Sequence, residues 1–174
     1  MKSEELYKEF NLLLLKKIAY TKELFTLKDG YISTKIVSGK KYSYLQKKTD
    51  GRVQSEYIKE ENLPLIKSHL KRRGEIVKEV ELLDEQLNQL EGAAVILDEG
   101  IYHKFIILRR CALMDSMPIE VRKMSLEFGD AMTALEGIPA SVETLQHLSL
   151  WAADQCSFRD SYLQTLAKYN LIEA

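Results

Sequence analysis

The chain has 174 residues, of which 45% are hydrophobic and 29% are charged, and its 25 basic and 26 acidic side chains nearly cancel. This composition is typical of a folded protein and excludes a disordered or collagen-like chain. Eight Gly and three Pro are too few for a loop-rich all-β protein, so we expect a mainly α fold. No apolar run approaches the roughly 18 residues of a membrane span, and the N-terminus lacks a secretion-signal pattern. We therefore expect a cytoplasmic protein with no membrane partner.

Side chains that commonly carry catalysis or bind metals are scattered along the sequence. Cys111 and Cys156 lie far apart with no C-x-x-C neighbourhood, and each of the three histidines stands alone. There is also no Gly-rich phosphate loop and no G-x-S-x-G motif. We expect two buried thiols, no metal site, no cofactor and no enzymatic activity; an enzyme remains a third alternative.

The first half of the chain predicts two helices that flank a small sheet. Apolar residues at four-three spacing predict a helix over Glu4–Leu27 with Ser3 as N-cap, and the helical period returns over about Glu61–Glu91. Between them lie three short β-prone segments, Tyr31–Val37, Lys41–Lys47 and Arg52–Ile58. We expect an antiparallel helical hairpin with a three-stranded antiparallel β-meander at its tip.

The second half predicts a C-terminal helical bundle. Gly92 is taken as the end of the hairpin, which gives domains at 1–91 and 92–174. A core helix is predicted over Ile101–Leu113, Met117-Pro118 breaks the chain, and a helix follows from Ile119 to Glu136, where Gly137 stops it. Ser141 and Ser157 are predicted N-caps of two last helices, Val142–Asp154 and Phe158–Tyr169. One face of the 119–136 helix is apolar: Val121, Met124, Phe128, Met132 and Leu135.

Charge is distributed unevenly along the chain. From Lys28 to Arg73 there are twelve basic and five acidic residues, whereas from Gly92 to the end there are seven basic and eleven acidic residues. A basic sheet can contact DNA phosphates or enter the major groove, although exposed lysines also keep a sheet soluble and block edge pairing. The candidate nucleic-acid-binding residues are Lys35, Lys40, Lys41, Tyr42, Tyr44, Lys47, Lys48, Arg52 and Lys59.

The same segment resembles known modules. The run G-Y-I-S-T-K-I-V-S-G-K-K-Y-S-Y-L-Q-K, followed by D-G-R-V-Q-S-E-Y-I-K, resembles a small bacterial coiled-coil module with a "K-Y-Y-Y-L-Q … G-K-V-x-S-x-Y-I" signature. Its strand pattern is also similar to the arm-type DNA-binding domains of phage integrases. The resemblance covers about Lys28 to Glu91 and implies a DNA-binding or phage-related adaptor.

A second resemblance covers roughly Ser125 to Leu171. The sequence A-M-T-A-L-E-G (Ala131–Gly137), together with the two following helices, resembles the VbhA-type antitoxins of Fic toxins. In that family a small three-helix protein presents an inhibitory helix with the pattern Ser/Thr-x-x-x-Glu-Gly/Asn. The resemblance implies that Glu136 is the inhibitory glutamate and Gly137 the residue after it.

The mechanism that this resemblance implies is electrostatic. The glutamate pairs with an Arg in the toxin's nucleotide site. Because that Arg otherwise binds the γ-phosphate of ATP, the ion pair blocks adenylylation. Met132 stands where the family has Ser or Thr, and Thr133 follows one residue later, about 100° around the helix. The alternative interpretation of Glu136 is an ordinary solvated glutamate near a helix end.

The preferred hypothesis is therefore an antitoxin-like regulator that binds a Fic-type adenylyltransferase toxin through Glu136. The alternative is a DNA-binding or phage-related adaptor that uses the basic sheet, with C-terminal helices that self-associate. Whether the coiled-coil segment pairs within one chain or in a homodimer stays open.

Overall fold

The computed structural model describes residues 3–137 and 140–168. Within these ranges the chain forms helices and one small sheet, so the expected mainly α fold with an antiparallel β-meander is confirmed. A 3-10 turn, Glu60–Asn62, follows the sheet. In chain order the elements are α1 (Ser3–Thr26), β1 (Tyr31–Val37), β2 (Lys40–Thr49), β3 (Arg52–Ile58), α2 (Leu63–Leu97), α3 (Glu99–Ser116), α4 (Ile119–Leu135), α5 (Val142–Ala152) and α6 (Phe158–Lys168).

Two tight turns set the register of the sheet. The pairs Val37↔Lys40 and Thr49↔Arg52 close two-residue loops, Ser38-Gly39 and Asp50-Gly51. All four loop residues have φ between 50° and 78°, as type I′ turns require, and the twist of such turns matches that of paired strands. β1 and β3 have the predicted limits, and β2 is longer than predicted at both ends.

Gly30 fixes the entry of the chain into the sheet. Its φ is +121°, and a Cβ built on it would lie 2.2 Å from the carbonyl oxygen of Gln46 in β2. No side chain fits in that space, so the backbone can approach β2 this closely only at a glycine.

The chain divides into two compact units. The sheet unit comprises residues 23–82, and the helical unit comprises residues 1–22 and 83–174. Both α1 and α2 contribute residues to each unit. The domain limits expected from the sequence, 1–91 and 92–174, stay a prediction.

The core of the helical unit is apolar and aromatic. Phe10 of α1 and Phe105 of α3 stack with ring centroids 3.8 Å apart. Burying each large apolar side chain contributes about 1.5 to 3 kcal/mol, which favours the packing of α1 against α2 and α3. The buried cluster comprises Leu6, Phe10, Leu14, Leu87, Ala94, Phe105, Leu108 and Ala112.

Two predicted helix limits are wrong. α2 continues through Gly92 to Leu97, because Ala94 is fully buried in the core and its packing outweighs the roughly 1 kcal/mol that a helical glycine costs. Asp98 caps the next helix, α3, and its carboxylate accepts a hydrogen bond from the Gly100 amide at 2.7 Å. Ser3 lies inside α1 instead of capping it.

Other predictions for the helical unit are confirmed. The chain breaks at Met117-Pro118, and Gly137 ends α4 with φ +74°. Ser141 caps α5 by accepting a hydrogen bond from the Thr144 amide at 3.2 Å. Ser157 likewise accepts one from the Asp160 amide at 3.0 Å.

Three further sequence expectations have mixed outcomes. α5 ends at Ala152, two residues before the predicted end, whereas Tyr169, the predicted end of the last helix, lies outside the described residues. Cys111 and Cys156 both have free thiols; Cys111 is buried, and burial raises the pKa of its thiol, whereas Cys156 is half-buried. Over residues 3–137 and 140–168, no helix has the length and hydropathy needed to cross a membrane.

A buried arginine joins α3, α4 and α5. Arg122 is 1% exposed and donates hydrogen bonds to the carbonyl oxygens of Asp115, Met117 and Trp151. It also donates to the Asp154 carboxylate at 2.8 Å, and its guanidinium lies 5.6 Å from the Trp151 ring centroid. The guanidinium thus bonds carbonyls at the end of α3 and at the end of α5, where the Trp151 carbonyl also accepts a hydrogen bond from the Asp154 amide at 2.9 Å.

Arg122→Met tests this role. We expect the substitution to destabilise the helical unit by about 1 to 3 kcal/mol for each carbonyl that loses its donor, namely those of Asp115 and Met117. Urea unfolding followed by the fluorescence of Trp151, the only tryptophan of the sequence, measures the change. Lys123→Met, on the exposed neighbour, is the matched control; equal effects of the two substitutions would contradict the assignment.

The pH dependence of stability provides a second test. Hydrogen bonds from Lys22 and then from Arg122 lower the pKa of Asp154 from its ordinary value of 3.8. A lowered pKa means that this carboxylate stabilises the folded state above about pH 3.8 and loses that contribution as the pH falls further. We expect Asp154→Asn to flatten the loss of stability below pH 4 in urea titrations, and an unchanged pH profile in this variant would contradict the assignment.

Candidate functional site

The sheet presents two chemically different faces. Cross-strand partners lie on the same face of a sheet, so the register assigns every strand residue. One face, here named the Tyr-Lys face, contains Tyr31, Ser33, Lys35, Val37, Lys40, Tyr42, Tyr44, Gln46, Lys48, Val53, Ser55 and Tyr57. The opposite face contains the buried Leu45 and Ile58, so it is the face that packs in the sheet unit.

The Tyr-Lys face is aromatic, basic and free of carboxylates. Tyr57 lies 5.7 Å from Tyr44 and 6.2 Å from Tyr42, measured between ring centroids. The ammonium group of Lys35 lies 5.2 Å from the centroid of the Tyr44 ring. Because none of the twelve residues is acidic, no carboxylate on this face neutralises its lysines.

The opposite face, unlike the Tyr-Lys face, has carboxylates beside its basic side chains. Lys47 on that face pairs with Asp29 at 2.9 Å, and Arg73 of α2 pairs with the same carboxylate at 3.1 Å. The hydrogen bond from Lys47, together with the charge of Arg73, lowers the pKa of Asp29. Glu56 also lies on the opposite face. The positive charge of the opposite face is therefore partly neutralised within the sheet unit.

The nine residues predicted to bind nucleic acid do not form one surface. Five of them, Lys35, Lys40, Tyr42, Tyr44 and Lys48, lie on the Tyr-Lys face. The others do not: Lys41, Lys47 and Arg52 are on the opposite face, and Lys59 lies beyond the end of β3.

Seven residues of the Tyr-Lys face were not among the nine candidates, and three of them are aromatic or carry an amide: Tyr31, Tyr57 and Gln46. Tyr31 and Tyr57 are 54% and 53% exposed, and Gln46 is the cross-strand partner of Tyr31. The signal was present in the sequence, because two-residue turns fix the register and strand alternation then sorts the side chains.

A second candidate surface is the outer side of α4. The apolar residues predicted to share one face do so, but they are exposed instead of buried: Phe128 is 68% and Leu135 82% exposed. α4 turns Arg122 inward, and Leu126 and Thr133 on the same side are half-buried. The α4 apolar face consists of Val121, Met124, Phe128, Met132 and Leu135.

Glu136 stands at the C-terminal end of this face. It is exposed, it caps α4, and its amide donates a hydrogen bond to the carbonyl of Met132 at 3.1 Å. Among the residues that the structure describes, none forms a hydrogen bond or an ion pair with the Glu136 carboxylate. The position is electrostatically unfavourable for an acid, because the C-terminus of a helix carries partial negative charge.

The structure separates the two candidates for the first position of the inhibitory pattern. Met132, four residues before Glu136, shares the exposed side of α4 with it. Thr133 is half-buried, and its hydroxyl donates to the carbonyl of Asp130 at 3.0 Å. The hydroxyl is therefore engaged within α4 itself.

The exposed charges of α4 are mostly acidic. Arg122 is buried, which leaves Lys123 as the exposed basic residue between positions 119 and 137, all of which the structure describes. The acidic residues of this stretch are Glu120, Glu127, Asp130 and Glu136. Glu136 adjoins the α4 apolar face, whereas Asp130 lies roughly 160° around the helix from the centre of that face. An apolar helix side that ends in a carboxylate is complementary to a groove that is apolar and cationic.

Residues 3–68 match a protein family described as "Domain of unknown function (DUF6788)". The matched stretch covers α1, the three strands and the beginning of α2, and it ends before α3. No curated protein and no solved structure matches the chain. The chain is thus similar to this family over the segment that contains the Tyr-Lys face.

Proposed function

We propose that the protein is an antitoxin-like inhibitor that binds a Fic-type adenylyltransferase through α4. The observation that carries the proposal is the exposed Glu136 carboxylate, without a partner among the described residues, at the end of an exposed apolar helix face. Burying Phe128 and Leu135 against a partner supplies binding energy, since large apolar side chains leave water. That energy then holds Glu136 at a fixed position on the partner.

The charge of α4 matches the chemistry of the target. A site that binds ATP phosphates is cationic, and an Arg in such a site forms two parallel hydrogen bonds with a carboxylate. Glu136 occupies the guanidinium that aligns the γ-phosphate, so the α-phosphate is misplaced for nucleotidyl transfer. In this role the protein itself catalyses no reaction.

Glu136→Gln tests the inhibitory contact. The purified protein is titrated into a Fic-type adenylyltransferase from the same genome, and transfer of labelled AMP is measured. Loss of one partner of a desolvated ion pair costs about 2 to 5 kcal/mol, so we expect inhibition to weaken at least roughly thirtyfold. Glu127→Gln, an exposed acid on the same helix, is the control and leaves inhibition intact.

A second substitution separates docking from inhibition. Phe128→Ser removes a large side chain from the α4 apolar face, so we expect it to prevent co-purification with the toxin, whereas Glu136→Gln still co-purifies. Unchanged inhibition by both variants would rule out α4 as the inhibitory element.

A second candidate function is nucleic-acid binding by the sheet unit. It is favoured by one observation, the absence of carboxylates among the twelve residues of the Tyr-Lys face. A surface of this kind attracts phosphates and has no carboxylate that repels them. Its binding releases the counterions that surround the nucleic-acid backbone.

Lys40→Glu and Lys41→Glu test this function as a matched pair, because these neighbours lie on opposite faces of β2. Binding of labelled DNA is measured by fluorescence anisotropy over a range of salt concentrations. We expect Lys40→Glu to weaken binding and to reduce the salt slope by about 1, whereas Lys41→Glu leaves both nearly unchanged. Equal losses would indicate attraction to the net charge of the segment and not a binding face.

A further inference from the structure

We infer that the Tyr-Lys face binds unpaired nucleic acid, with bases stacked on the exposed rings of Tyr57 and Tyr31. This inference rests on the second candidate function and specifies its ligand. It depends on the positions of the aromatic rings, the lysines and the polar side chains on one carboxylate-free face.

Aromatic rings form the centre of the face. Tyr44 and Tyr57 are direct cross-strand partners, and Tyr31 lies on the adjacent row next to Gln46. Tyr31 and Tyr57 each keep more than half of their surface in solvent. Exposed rings gain free energy when a planar base covers them, and every base has a face that can stack.

Lysines lie at both ends of this aromatic centre. Lys35 and Lys40 are near the turn between β1 and β2, and Lys48 is near the turn between β2 and β3. Residues 40–48 of an extended strand span about 27 Å. A phosphate backbone that runs along β2 can therefore contact a lysine at each end while its bases lie on the rings between them.

Polar groups between the rings can reach base edges. Gln46 pairs with Tyr31 on one side and with Ser55 on the other, so its amide lies in the row next to Tyr57. A glutamine amide offers both donors and an acceptor, and a serine hydroxyl offers one donor and two acceptor lone pairs. These groups can hydrogen-bond the edge of a base that is stacked on a neighbouring tyrosine.

This arrangement fits unpaired bases better than a duplex. In a duplex the base faces are covered by their neighbours in the stack, and only the edges are accessible in the grooves. The tyrosine rings would then have no base face to contact, and binding would depend on the lysines alone. A single strand supplies both base faces and phosphates.

The experiment compares a labelled oligothymidine of about 12 nucleotides with the duplex of the same length, using the whole protein and fluorescence anisotropy. We expect the single strand to bind more tightly than the duplex. Tyr57→Ser should weaken single-strand binding by about 5- to 150-fold, whereas Tyr57→Phe, which keeps the ring, should not. Gln54→Ser is the control, because Gln54 is exposed on the opposite face of β3 and its substitution should leave single-strand affinity unchanged.

Each outcome is decisive. Preferential single-strand binding that is lost in Tyr57→Ser and kept in Tyr57→Phe supports the inference. Duplex binding as tight as single-strand binding, or an unchanged affinity in Tyr57→Ser, overturns it and leaves phosphate binding by the sheet in place. Absence of binding to either probe overturns both. Urea unfolding of each variant verifies that the fold is retained.

Discussion

The hydrogen bonds of the buried Arg122 guanidinium determine which side of α4 faces solvent, and the exposure of the α4 apolar face and of Glu136 depends on them. A guanidinium that is 1% exposed must direct its donors to acceptors, and the carbonyls of Asp115, Met117 and Trp151 provide them. Because these carbonyls belong to the ends of α3 and α5, Arg122 fixes how α4 is rotated about its own axis. The side that carries Arg122 faces inward, and the side that carries Phe128 and Glu136 faces solvent. A structural interaction thus determines which functional groups α4 presents.

The two candidate surfaces have opposite chemistry, and each lies in its own compact unit. The Tyr-Lys face is basic and has no carboxylate, whereas the α4 apolar face is uncharged and ends beside the Glu136 carboxylate. The formal net charge of −1 averages these two surfaces and describes neither. Each surface repels the ligand that the other attracts, so a polyanion selects the sheet unit and a cationic groove selects α4.

Local signals predicted the elements of this fold well, and long-range contacts explain where they failed. The β-prone segments predicted the strand limits to within two residues, since β propensity acts over a few positions. The end of α2 was missed because the burial of Ala94 depends on residues far away in the chain. Periodicity identified the α4 apolar face but could not show whether it was covered. Likewise, Arg122 has no local sequence signal that distinguishes it from a solvated arginine, and residue composition could not separate Lys40 from Lys41.

The backbone at Gly30 passes so close to the carbonyl of Gln46 that the residue at position 30 cannot carry a side chain. A single methyl group at position 30 would push the start of β1 away from the central strand and disturb the alignment of Tyr31 with Gln46. Replacing Gly30 by any residue with a side chain therefore forces the backbone to shift at this point. Side chains elsewhere on the Tyr-Lys face can change without moving the backbone, whereas position 30 admits only glycine.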